Sequence, residues 1–261
     1  MIKLIASDLD GTLLEPDGTL PEGIFETIEE LSALGIRFIA ASGRQYANLQ
    51  RLFQPVWKQM AFVCENGAVN VIDDKIIGVV PIADDMAQEL VRDIQDAGMN
   101  LLISGKRNSY VLNQNRAFTD DIIYRLRNNA AVINDVSEIC EPMLKISGQI
   151  STGLPEISAR FSEKWENRIS AVVSGADWFD FTIAHKGIGL EMIIKEMNVK
   201  PSELVAFGDN FNDERMLALA GYPFLMEQAD PRLRKPNIRL CNKVLPVLHE
   251  IIKNKGHLPQ V

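Results

Sequence analysis

Cysteine is scarce in this chain. Its 261 residues hold three, Cys64, Cys140 and Cys241, far apart and without a C-x-x-C pair. That spacing excludes a disulfide framework or a thiolate zinc centre and predicts a reducing, cytoplasmic setting in which the thiols act as small hydrophobes. Long apolar runs are missing too: the first, Ile2–Ala6, contains Lys3 and is followed by Asp8, too short and too interrupted for a signal peptide or a membrane span. Positive charge is in deficit, with 27 Lys and Arg against 35 Asp and Glu for a net of −8. Such a surface repels polyanions, so neither nucleic acid nor a membrane is expected as a partner. No repeat of 20–50 residues and no low-complexity tract occurs, which excludes solenoids and arrays.

What remains is an ordinary globular composition, 46% apolar and 24% charged, long enough for one large domain or two of moderate size. Short apolar runs alternate with amphipathic stretches near both ends, the pattern of a parallel sheet covered by helices on each face. We therefore expect an α/β fold, a doubly wound, Rossmann-like parallel-sheet core. Its strands are predicted at Lys3–Ser7, Arg37–Ala41, Ala61–Cys64, Leu204–Gly208 and Tyr222–Met226. Its helices are predicted near Pro21–Leu34, Gly187–Met197, Asp213–Ala220 and Leu245–Lys253. Between Pro81 and about Ile183 the rhythm changes to helix, two strands, helix, strand, helix, two strands. That stretch reads as an inserted α+β domain, with one of its helices near Thr119–Asn128, and gives a division into a core at 1–82 and 185–261 and a cap at 83–184.

Four expected core strands end in a polar residue: Asp8, Ser42, Asn66 and Asp209. The carboxyl ends of the strands of an open α/β sheet share one crevice where ligands bind, so segments distant in sequence converge there. Each residue alone is also an ordinary turn former or helix cap. The first such segment is Ser7-Asp8-Leu9-Asp10-Gly11-Thr12-Leu13, in which two carboxylates can face one ligand if the backbone curls at Gly11. The second is Gly208-Asp209-Asn210-Phe211-Asn212-Asp213. It offers hard oxygen ligands with no His or Cys nearby, a set suited to Mg²⁺ rather than zinc, and Asn212 or Asp213 also suits an N-cap. Were Asp8, Asp10, Asp209 and Asp213 to gather, each like-charge pair at about 4 Å would cost roughly 4 kcal/mol at an effective dielectric of 20. A divalent cation and one ammonium would compensate, and Lys186, at the start of an expected helix, is the ammonium in reach. Its neighbour His185 points the other way along an extended segment and reads as structural.

Asp8-Leu9-Asp10-Gly11-Thr12, Ser42-Gly43-Arg44, Glu65-Asn66-Gly67-Ala68, Lys186-Gly187 and Gly208-Asp209-x-x-Asn212-Asp213 stand in the order of the haloacid dehalogenase superfamily. With its insert the chain resembles the Cof-type sugar-phosphatase branch carrying a C2 cap, over essentially its whole length. It departs after Met226, where a Gly-Asn-Ala-like loop is common and this chain has Glu227-Gln228-Ala229.

The resemblance implies a Mg²⁺-dependent hydrolysis of a small phosphomonoester, a sugar phosphate first, through an aspartyl-phosphate. By the same resemblance Asp8 is the nucleophile and Asp10 the acid and base, with Lys186 and Ser42 assisting. Gly11, Ser42, Gly43, Arg44, Asn66, Lys186 and Asn212 hold substrate. Asp8, Asp10 and Asp209 hold the metal, and Asn212 and Asp213 support them from behind. A phosphotransferase or phosphosugar mutase using the same intermediate, and a non-catalytic phosphoester-binding protein, are the competing readings. Oligomeric state is not fixed by the sequence.

Overall fold

The fold is taken from a computed structural model, which describes residues 1–174 and 176–258. Gly175 and residues 259–261, the end of the second expected core segment, lie outside them. The chain opens with β1 (Leu4–Ser7), α1 (Ile24–Ala33), β2 (Arg37–Ala41), α2 (Tyr46–Leu52), β3 (Met60–Cys64), β4 (Val69–Ile72) and β5 (Lys75–Val79). The insert follows with α3 (Asp84–Asp96), β6 (Asn100–Ser104), β7 (Ser109–Leu112), α4 (Arg116–Asp120), β8 (Ala130–Ile133), β9 (Lys145–Gln149), α5 (Leu154–Trp165), β10 (Ser170–Ser174) and β11 (Trp178–Thr182). The chain then returns as α6 (Lys186–Glu196), β12 (Leu204–Gly208), α7 (Glu214–Leu219), β13 (Tyr222–Met226), β14 (Arg239–Cys241) and α8 (Val244–Lys253). Contacts divide it into two compact units: Met1–Arg44, Leu49–Gly78 and His185–Val261 form one, Gln45–Asn48 and Val79–Ala184 the other.

The first unit is built on an eight-stranded sheet in the order β14-β13-β12-β1-β2-β3-β4-β5. From β14 through β3 all pairs are parallel, and such strands must be apolar on both faces because helices cover each side. LIAS, MAFVC and LVAFG are accordingly buried at every position. The strand order reverses at β1, which pairs with β12 on one side, Ser7 opposite Phe207, and with β2 on the other, Ser7 opposite Ala40. Residues following β1 therefore emerge at the switch point, the place where an open α/β sheet leaves a crevice for ligands.

The second unit is a six-stranded sheet in the order β10-β11-β9-β6-β7-β8, antiparallel except where β7 runs parallel to β8. Along α3, Ala87, Leu90, Val91 and Ile94 are buried at helical spacing, and with Phe161 and Trp165 of α5 they cover Leu101, Ile103, Ile146, Phe179 and Phe181 of the sheet. Fully buried Trp165 donates its indole N–H to Asp93 at 2.9 Å.

The structure adds elements to the expected rhythm. β4 and β5 flank the two-residue turn Asp73-Asp74, whose φ values of 50° and 61° are left-handed; this is hairpin geometry written without a glycine. α2, β8 and the three-residue β14 were also not expected. The helix expected at Thr119–Asn128 begins earlier, because the Asn115 side chain accepts from Phe118 N at 3.2 Å and caps α4 there. It then passes into a wider turn, Asp121–Arg125. Among the described residues no helix is long and apolar enough to cross a membrane.

Candidate active site

Every residue of the site belongs to the first unit. Asp8 follows β1 and its N–H still donates to Phe207 O of β12 at 3.0 Å, which fixes the start of the loop to the sheet. The next five residues, Leu9–Leu13, coil into a single wide turn, closed by Leu14 N donating to Leu9 O at 2.9 Å. Within it Gly11 has φ +85°, and a Cβ there would lie 2.3 Å from Asp209 Oδ2. Only glycine supplies that backbone angle and that clearance together.

The curl sends the two carboxylates of this loop to different places. Asp8 is turned inward, 5% exposed, and is paired with the Lys186 ammonium. Lys186, itself 1% exposed, also donates to Asp213 Oδ1 at 2.6 Å. It is the first residue of α6, whose N-cap is His185: the imidazole Nδ1 accepts from Ile188 N at 3.0 Å. His185 is thus structural, and burial followed by the nearby charge of Arg215 lowers its pKa.

Asp213 is fully buried and uses its second oxygen to accept from Asp209 N at 3.0 Å and Asn210 N at 3.1 Å. The cap of this turn is Asn210, whose side chain accepts from Phe211 N at 2.8 Å. Asn210 and Asp213, three apart, form the reciprocal capping pair of this turn, and Asp213 stands at the N-cap position of α7, as expected, without a side-chain bond to that helix's own N–H groups. Asn212 is exposed on the same turn.

One carboxylate oxygen from each of Asp8, Asp209 and Asp213 lies within 4.8 Å of the others. Burial pushes the Asp8 carboxyl up to about 7, against the pull of Lys186 and with the help of Asp213. Asp209 is raised for the same reasons, burial first and then Asp213, while its bond from Thr12 Oγ1 at 3.0 Å pulls the other way. Burial opposes the charged form of Lys186, but Asp213 and Asp8 together hold its pKa above the ordinary value. Acid and base shift upward together, the carboxyls through burial first and the ammonium through the two carboxylates beside it. Three carboxylates against one ammonium leave two negative charges, and the donors are all hard oxygens. That set fits a divalent Mg²⁺ in charge and ligand type.

Asp10 does not join this cluster, which corrects the expectation of four gathered aspartates. Its side chain is 63% exposed and is gripped by Arg44, Nη2 to Oδ1 at 2.5 Å and Nε to Oδ2 at 3.2 Å. The planar guanidinium fork suits a carboxylate better than any single-point donor. Arg44 N also donates to Ser42 Oγ at 3.3 Å, and buried Ser42 accepts from Asn66 N through its carbonyl at 3.0 Å. Gly43 lies against the Asn66 amide, which sits at φ 55° in the turn after β3, with a buried Oδ1 that has no hydrogen-bond partner among the described residues. An unpaired buried acceptor is costly unless a ligand or water supplies a donor.

Three contributors escaped the sequence reading. Thr12 stood in the quoted motif without a role. Asn210 was signalled by its spacing of three from Asp213. Gln228, whose Nε2 donates to Gly11 O at 2.9 Å, stood in the loop where the chain departs from the family pattern, but its partner, 217 residues away, could not be read.

A family model described as haloacid dehalogenase-like hydrolase matches residues 5–242. Among curated proteins, the 5-amino-6-(5-phospho-D-ribitylamino)uracil phosphatase YbjI of Escherichia coli is 29% identical over 99% of both chains. An HMP-PP phosphatase of Cronobacter sakazakii is 22% identical over 89% of this chain and 87% of its own. Among solved structures, a haloacid dehalogenase-like hydrolase from Bacteroides thetaiotaomicron shares the fold with a TM-score of 0.81 at 19% identity, covering 96% of this chain and 100% of that one.

Proposed function

The chain belongs to the haloacid dehalogenase-like hydrolases, and on that footing we propose that it is a Mg²⁺-dependent phosphatase of small phosphomonoesters acting through an aspartyl-phosphate. The supporting observation is the separation of Asp8, buried beside Lys186 and two further carboxylates, from Asp10, exposed two residues later. The two roles need different protonation states, so Asp8 must ionise and Asp10 must take up a proton before the reaction.

Asp8, Asp209 and the main-chain carbonyl of Asp10 would hold the ion. Bound there, Mg²⁺ offsets the charge of the phosphoryl oxygens and of the acidic cluster. An Asp8 carboxylate oxygen attacks phosphorus in line, while Lys186 balances charge on Asp8 and the phosphoryl group. Asp10, parted from Arg44 and protonated from solvent, gives that proton to the bridging oxygen as the P–O bond breaks, and the alcohol leaves. Asp10 then takes a proton from the water that attacks the phosphoaspartate, releasing phosphate and restoring Asp8. Ser42, with the backbone N–H groups of Gly11 and Gly43, donates to phosphoryl oxygens. Arg44 presents Asp10. Asn66 and Asn212 face the substrate, while Asp213 fixes Lys186. The insert at 83–184 acts as the C2-type cap that admits or rejects the leaving group.

Sugar phosphates lead the substrate list, and the names of the E. coli and Cronobacter relatives add phosphorylated ribityl chains and HMP-PP. A phosphate-release screen over these classes with Mg²⁺, repeated with a chelator, tests the proposal. Release that stops on chelation supports it. Release indifferent to chelator refutes the metal, and phosphate appearing on an added sugar rather than in solution marks a phosphotransferase.

A further inference from the structure

The loop after β13 is where this chain departs from its family's pattern, with Glu227-Gln228-Ala229, and it reaches the site. Gln228 Nε2 donates to the carbonyl of Gly11 at 2.9 Å. Gly11 cannot be replaced by a residue with a side chain, since a Cβ would strike Asp209, yet glycine is also the loosest torsion in any chain. The residue before it is Asp10. Rotation about an untethered Gly11 would swing the Asp10 backbone while Arg44 holds only the far end of its side chain. Asp10, Gly11 and Gln228 are among the residues lining one cavity of about 460 Å³.

We propose that Gln228 is a positioning residue for the acid–base step: by anchoring the Gly11 carbonyl it fixes the torsion that aims Asp10 at the leaving-group oxygen. This rests on the reading of Asp10 as proton carrier. In that step the Asp10 O–H bond breaks, the bridging oxygen keeps the electron pair of the P–O bond and takes the proton, and a neutral alcohol and an Asp10 carboxylate result.

Leaving-group chemistry separates aim from general loosening. An alkoxide is too basic to depart without a proton, whereas nitrophenolate departs unaided. A misaimed Asp10 slows only the first, and a loosened fold slows both. The experiment measures kcat and KM of the wild type, Gln228→Met and Asp10→Asn on ribose 5-phosphate and on p-nitrophenyl phosphate, with Tm for each protein. Gln228→Met keeps the length and removes the donor. Its kcat should fall about 10-fold on the sugar phosphate and less than about 2-fold on the nitrophenyl ester, with KM nearly unchanged, in the same direction as Asp10→Asn but smaller. Gln228→Glu, which turns a carboxylate toward a carbonyl, should show the same selective loss. Equal losses on both esters, or none on either, overturn the inference while leaving the phosphatase reading intact. A wild type that releases phosphate from none of the esters in the screen overturns both.

Discussion

The floor of the site and its rim are two residues apart in sequence and opposite in surroundings. At the floor Asp8, Lys186 and Asp213 are almost wholly shielded from water, and their charges act on one another at close range. At the rim Asp10 and Arg44 are 63% and 36% exposed and their ion pair is screened by solvent. Burial therefore shifts the floor carboxyl, while the rim pair is held by geometry. The comparison teaches that one turn of chain can hold two carboxylates of different character, provided a glycine lets the backbone turn between them.

Removing the proposed nucleophile at the floor should have the largest effect. Asp8→Asn should lower kcat at least about 10³-fold. Its Tm should hold or rise, because one of three crowded charges is gone and Lys186 keeps Asp213. Near wild-type turnover in a folded Asp8→Asn protein would break the comparison outright.

Next in size is the coupling of metal to pH. The folded protein binds the Asp8 proton more tightly than the unfolded chain does, with the carboxyl moved from 3.8 to about 7. That contribution to stability is whole below pH 3.8 and is lost as pH climbs toward 7. A cation that needs the ionised form recovers it, so the Mg²⁺-induced rise in Tm should grow with pH, from about 1 °C or less at pH 5.5 to about 5 °C or more at pH 8. A rise independent of pH would mean that the ion does not contact this cluster.

The rim should answer least. Arg44→Ala breaks an exposed pair and should cost at most about 1 kcal/mol in denaturant unfolding. A loss several times larger would show that Arg44 belongs energetically with the floor.

Much of this was readable from the chain because the parallel strands are uninterrupted apolar runs that stop at a polar residue, as Leu204–Gly208 stops at Asp209. The α/β core and the position of Lys186 at a helix start followed from that. Shorter or less regular signals were lost. The Asp73-Asp74 turn lacks the glycine that marks a hairpin, and β14 is three residues long. The placing of Asp10 on Arg44, of Thr12 on Asp209 and of Gln228 on Gly11 could not be read, since each pairs side chains or carbonyls that only tertiary folding brings near.

The stretch from Val79 to Ala184 interrupts the first unit, and the acids gathered around Asp8 all come from outside that stretch. Mutations can accumulate there without disturbing the reacting atoms. Under the proposed function, copies of this architecture could therefore change what they admit while inheriting one chemistry.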